Sequence, residues 1–164
     1  MLFAQDAFYI EQVTQADLDA VLAVYQSNKA FLSHHLGRDT VTRVWLESEL
    51  AAMASAGFSS CKIVERDASN LIGIVDFKLA EESYLSLLML HGEYQGLGLG
   101  KQIYHAIEDY AKKHGSTAIR IDVVTGYDPG VCNFWRSRGF IKVQEVTLHW
   151  AGKTLPALAM KKQL

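Results

Sequence analysis

Four glycines, Gly92, Gly96, Gly98 and Gly100, fall within nine residues of a 164-residue chain that holds twelve in all. They sit in the segment Leu90-His91-Gly92-Glu93-Tyr94-Gln95-Gly96-Leu97-Gly98-Leu99-Gly100-Lys101. A strand-like run, Tyr84–Leu90, leads into it. Ile103, Ile107, Tyr110 and Ala111 follow at helical spacing. Glycines tolerate positive φ and leave backbone N–H groups uncovered. At the start of a helix such N–H groups form an anion site, and pyrophosphate is its usual guest. A plain tight turn makes the same demand for glycine, so spacing has to separate the two.

Three phosphate-binding patterns compete. A Walker loop needs a glycine five positions before its Gly-Lys pair, where this chain has Gln95. It also needs Ser or Thr after the lysine, where Gln102 stands. A dinucleotide fingerprint needs G-x-G-x-x-G. Gly96, Gly98 and Gly100 give G-x-G-x-G instead, outside a βαβ repeat from the N-terminus. Gln95, Gly98 and Gly100 satisfy Q-x-x-G-x-G. In that pattern the backbone amides of residues 96–101, from Gly96 and Leu97 through Leu99 to Lys101, wrap the pyrophosphate of coenzyme A.

The rest of the chain reads as mixed α/β. Phe8–Val13 predicts a strand. Thr14, with Asp17 three residues on, predicts a capped helix to about Ser27. His34–Asp39 reads as a loop, and Thr40 as the cap of a second helix that Gly57 ends. Ser60–Glu65 and Leu71–Leu79 predict a hairpin, and Glu81-Glu82-Ser83 a turn. Lys112, Lys113 and His114 precede Gly115, the charge that suits a helix C-terminus. Ala118–Val124 is a β-branched strand, a short helix runs to Arg138, and two strands follow, Gly139–Val146 and Leu155–Met160. No repeat or low-complexity linker divides residues 1–164, so one domain is expected.

Composition narrows function. Sixteen basic against 18 acidic residues give −2, without the clustered Lys and Arg that nucleic acid requires. Leu87-Leu88-Met89-Leu90 is far shorter than the ~20 residues of a membrane span. No basic segment with a long apolar core opens the chain, and Cys61 and Cys132 match no redox or metal spacing. A cytoplasmic protein with reduced thiols is therefore expected. The six histidines form no ligand cluster, so no metal is expected.

Asn133-Phe134-Trp135-Arg136-Ser137-Arg138-Gly139-Phe140, together with the glycine segment, resembles the GNAT superfamily of N-acetyltransferases. The likeness runs from about Ile72 to the C-terminus. It implies a mostly antiparallel α+β sheet of six to seven strands flanked by helices, with a V-shaped splay between two parallel central strands. It implies acetyl-CoA as cosubstrate, with pantetheine pairing near Leu88, Met89 and Leu90 and an oxyanion-type contact from the N–H near Leu90. The acceptor would be a primary amine on a small molecule or peptide, attacking directly, so Cys132 needs no nucleophilic role. Family analogy also suggests a homodimer. Where the family often carries a tyrosine that protonates the thiolate, this chain has Trp135, an N–H donor but no practical acid. Packing against the cofactor is its expected role. Asp128 and Val131 depart from the family's usual Asn and Ala, and Asn133 is offered to the pantetheine instead.

An amine near neutral pH must lose a proton before it attacks, and a carboxylate commonly takes it. Asp76 stands mid-strand in Ile72-Gly73-Ile74-Val75-Asp76-Phe77, where a charge is costly unless it faces a cleft or partner. It is the first candidate, against a solvent-facing role. Glu81 and Glu82 are alternatives, and Tyr104 and Tyr127 are candidates to donate the proton that Trp135 cannot. By analogy the N-terminal half walls the acceptor pocket, with Asn28, Phe31, His34 and His35 available to line it and Trp45 expected in the core. Two rivals remain open: a non-catalytic acyl-CoA sensor of the same fold, and a nucleotide-binding enzyme.

Overall fold

A computed structural model describes all 164 residues. The elements are β1 (Phe3–Ala4), β2 (Phe8–Gln12), α1 (Leu18–Gln26), α2 (Lys29–Leu36), α3 (Arg43–Ser55), β3 (Ser59–Glu65), β4 (Leu71–Lys78) and β5 (Glu82–Leu90). Then come α4 (Leu99–Lys113), β6 (Ala118–Val124), α5 (Pro129–Arg136), β7 (Ile141–Trp150) and β8 (Lys153–Gln163). They build one eight-stranded sheet in the order β1-β2-β3-β4-β5-β6-β8-β7. Every pairing is antiparallel except β5 with β6. The sheet has one or two strands more than expected, counting the two-residue β1.

Period-two burial puts a core on each face. Ile63, Val75, Phe77 and Leu85 pack with Ile103, Tyr104, Ile107 and Ala111 of α4 on one side. Ile74 and Met89 point the other way, into Leu18, Val21, Tyr25, Leu32 and Leu46 of α1–α3. The Thr14 prediction holds, since Asp17 Oδ2 accepts from both the Thr14 N–H and its hydroxyl at 2.7 Å. One 3₁₀ turn, Gln15–Asp17, precedes α1.

Two expectations need correction. Of the segment predicted as a loop, His34–Asp39, the first three residues are the last turn of α2, which ends on Gly37 at φ 72°, and the rest is irregular. Its histidines disguised the pattern, because His35 is buried and stacks on Phe31 at 3.8 Å between centroids. The cap of α3 is Thr42, not Thr40, with Thr42 Oγ1 accepting from the Trp45 N–H. Val41, between them, is buried.

The sheet is irregular at its centre. Asp76 pairs with Leu87 and Phe77 with Leu85, so Ser86 is an extra residue, a bulge that turns β5. β5 and β6 pair only over Glu82–Tyr84 and Ala118–Arg120. Beyond that β6 stays with β8 up to Val124, while β5 stays with β4 up to Leu90. The two parallel strands therefore part toward their C-terminal ends, forming the expected splay.

Candidate active site

The splay exposes backbone. The His91 N–H donates to the Ile72 carbonyl at 2.9 Å. Antiparallel alternation then turns Met89 toward β4, and the N–H and C=O groups of Leu88 and Leu90 into the gap. The Leu90 carbonyl is held there by two side-chain amides, Asn28 Nδ2 at 3.0 Å and Gln95 Nε2 at 2.9 Å. Gln95 also donates to Asn28 Oδ1 at 2.7 Å, and the Gly92 N–H to Ser27 Oγ at 2.9 Å. The end of α1 thus clamps the end of β5. The sequence marks Ser27 only as the end of the first helix, because its contact with residue 92 has no local signature.

Past this clamp the chain turns through Gly96 at φ 75° and Gly98 at φ 79°, both facing open space. Gly98 caps α4. None of the N–H groups from Gly96 through Lys101 donates to a protein acceptor outside the helix, and the first turn of a helix has none inside it. A run of unpaired donors with two uncovered glycines, at the positive end of a 15-residue helix, is a fit for a pyrophosphate. The Lys101 side chain is exposed beside it.

Across the gap, Tyr127 follows β6 and stacks on His34 at 4.7 Å. His34 Nε2 lies 3.1 Å from the Thr125 carbonyl, which joins α2 to this loop. Thr125, Tyr127, Cys132, Asn133 and Arg136 line a surface cavity of about 400 Å³ at the mouth. Burial, then Asp128, then Cys132, pushes the Tyr127 phenol up to about 12, so it carries its proton near neutral pH. Asp128 is engaged as the cap of α5, accepting from the Gly130 N–H at 2.8 Å.

The structure separates the other candidates. Asp76 lies on the α1–α3 face of β4, 6% exposed, with no hydrogen bond or ion pair to the protein. Burial pushes its carboxyl up to about 6. The Ser60 hydroxyl opposes that shift without reaching hydrogen-bond geometry, and the Glu49 charge adds to it. Tyr104 is wholly buried behind the sheet, between Trp135 at 5.5 Å and Phe140 at 5.6 Å. Burial, then Glu108, raises its phenol far above its ordinary value. Trp135 is itself buried, edge-on to Phe134 and Phe140. Glu82 opens β5 at the closed end of the splay, not in the predicted turn, and pairs with Lys161.

Glu49, which the sequence did not single out, lies on α3 and accepts from Trp150 Nε1 at 2.9 Å. Burial raises its carboxyl. Trp150 closes β7, 101 residues further along the chain.

The Acetyltransferase (GNAT) family model matches residues 18–140, well over half of the chain. An acetyltransferase from Thermus thermophilus superposes with TM-score 0.75 at 23% identity, covering 96% of this chain and 97% of that one. A spermidine N-acetyltransferase from Vibrio cholerae, in complex with CoA and spermine, gives TM-score 0.74 at 14% identity, over 97% and 96%. The ribosomal-protein-S18-alanine N-acetyltransferase of Escherichia coli gives 0.70 at 15%, over 95% and 93%. No curated protein matches the chain. These structural likenesses show the fold. The family match, on a sheet splayed between β5 and β6 above a glycine turn, shows that this chain belongs to the GNAT acetyltransferase family.

Proposed function

We propose that the protein transfers an acetyl group from acetyl-CoA to a primary amine. The carrying observation is the run of unpaired N–H groups from Gly96 to Lys101, continuous with the opened edge of β5. The pyrophosphate would be held by those N–H groups. The pantetheine arm would pair with Leu88 and Leu90, and Asn133 would reach it from α5. Acetyl-CoA supplies a thioester whose carbonyl is the electrophile. The Leu90 N–H, aimed into the splay, would donate to that oxygen as charge grows on it.

Asp76 is the proposed base. It takes one proton from the acceptor ammonium, freeing the lone pair. The new C–N bond forms as the C–S bond breaks, and the second N–H proton leaves with the sulfur as thiol. Asp76 then returns its proton to water. Tyr127, protonated and at the mouth, would relay that second proton, its O–H passing to the departing sulfur as the amine's proton replaces it. Tyr104 and Glu82 are given structural roles, in the core behind the sheet and in an ion pair at its closed end. Residues 1–164 act as a single domain. Cytoplasmic location and a homodimer belong to this reading as family analogy.

Thiol release from acetyl-CoA, measured with a panel of primary amines, tests the activity. Release that requires an amine supports it. Tight acetyl-CoA binding with no release from any amine would instead make the protein an acyl-CoA sensor, and preference for ATP or NAD over coenzyme A would sink the cofactor assignment.

A further inference from the structure

On the α1–α3 face, rings from five segments form a continuous arc. Tyr25 meets Trp45 edge-on at 5.3 Å, and Trp45 lies 6.4 Å from Trp150. Trp150 touches Phe31 at 5.9 Å and His35 at 5.8 Å, and His35 meets Tyr127 at 5.3 Å. The arc runs from the buried Asp76 to the mouth of the splay, because Tyr25 packs in the same core as Ile74, which shares its face of β4 with Asp76, and Tyr127 follows β6.

Three observations set this arc apart from ordinary core. Phe31, Trp45 and Trp150 all keep part of their surface open. Two carboxylates lie against the arc, and neither Asp76 nor Glu49 forms an ion pair. Glu49 holds one oxygen on Trp150 and leaves Oε2 without a partner. A buried carboxylate without a cation, as Asp76 is, is costly to a fold. A cation that brings its own apolar body would complete this site, through charge at the acids and through ring contact along the arc. The arc beyond Glu49 offers no third free acid. Its rim carries Lys153, whose Nζ donates to the His34 carbonyl at 2.9 Å, and Asp128 is spent on its cap. That is a poor surface for a second or third ammonium. The Trp150–Glu49 bond also ties the β7–β8 hairpin to α3.

We propose that the acceptor is a primary amine borne on one flat apolar body, an arylalkylamine, with Tyr25, Trp45, Trp150, Phe31 and His35 lining its ring and Glu49 steering its ammonium toward Asp76. This rests on the transferase reading above. The bond changes are those already given: nitrogen gains the acetyl carbon, sulfur leaves as thiol and one proton passes through Asp76.

The full chain saturated with coenzyme A is titrated calorimetrically with 2-phenylethylamine, spermidine and an alanyl peptide. Thiol release from acetyl-CoA is measured with the same three. The arylalkylamine is expected to bind at least ~10-fold tighter than either rival, a gap of ~1.4 kcal/mol, and to have the highest kcat/KM. Trp150→Ala should abolish that preference. Trp150→Phe, which keeps a ring, should retain it and guards against a misfolded alanine variant. Glu49→Gln should weaken the amine by ~10-fold while leaving 2-phenylethanol unchanged. Failure of the arylalkylamine to bind, preference for spermidine or the peptide, or a preference that survives Trp150→Ala would overturn the proposal. The two readings fail differently. Arylalkylamine binding without thiol release removes the transferase reading and keeps the site. Thiol release led by spermidine or the peptide keeps the transferase and removes the arylalkylamine.

Discussion

The two halves of the site are made from different material. The proposed cofactor side is backbone: unpaired N–H groups, two glycines at positive φ and a strand edge opened by the Ser86 bulge. The proposed acceptor side is side chain: a ring arc from five segments over two carboxylates. A backbone site tolerates change in its side chains. A side-chain site can be rebuilt without disturbing the sheet. Damage to one half should leave the other's ligand in place, and the following substitutions exploit this.

The largest effect is expected at Asp76. Asp76→Asn removes the proposed base and should lower kcat by about 10²–10³, within the usual range for general base catalysis. Coenzyme A affinity, measured by calorimetry, should not change. An equal loss of coenzyme A binding would mean that the two halves are not separable.

Next comes Gly98→Val. A branched side chain disfavours φ 79° and projects into the open space over the unpaired N–H groups. Coenzyme A affinity should fall on the order of 100-fold, or about 2.7 kcal/mol. The far-UV spectrum should be retained, because nothing in the protein lies within 4 Å of the added Cβ.

Asn28→Ala tests the clamp where the halves meet. It removes one of two donors to the Leu90 carbonyl and the acceptor for Gln95. A loss of about 1–2 kcal/mol in stability is expected, read from urea denaturation. A smaller loss in coenzyme A affinity should accompany it.

The mildest signature is in pH. Asp76 must be ionised to act, so kcat/KM should fall as pH drops through about 6, where its folded carboxyl titrates. Stability moves the opposite way. The unfolded chain loses this proton near pH 4, and the folded chain holds it until about 6. Asp76 therefore costs nothing below pH 4, destabilises the fold increasingly between 4 and 6, and costs on the order of 3 kcal/mol above that. Asp76→Asn should raise Tm at pH 7.5 and lose most of that advantage at pH 4.

The same contrast explains what could be read from the residues. Gly96 and Gly98 are informative because a backbone that needs positive φ writes glycine into adjacent positions. Gln95, Gly98 and Gly100 therefore pointed to the loop, and the loop to the splayed strands. Asp76 stood out as a charge amid Ile72, Ile74 and Val75, and the structure buries it. Glu49, Trp45 and Trp150 carried no such mark. Their meeting depends on α3 and the β7–β8 hairpin packing across the sheet, and each alone reads as an ordinary helix or strand residue. Tyr104 shows the reverse case. Helical spacing placed it on the helix after the loop, but spacing does not say which face of the sheet that helix covers. α2 escaped notice because His35 packs as an aromatic ring while reading as polar.

The most direct test of the division into a backbone cofactor site and a side-chain acceptor site is a calorimetric titration of Gly98→Val with coenzyme A, beside the unaltered chain. The account expects affinity to drop by about 100-fold with the fold intact. Unchanged affinity in a folded Gly98→Val protein would contradict it, because the unpaired N–H groups of residues 96–101 could not then be what holds the cofactor.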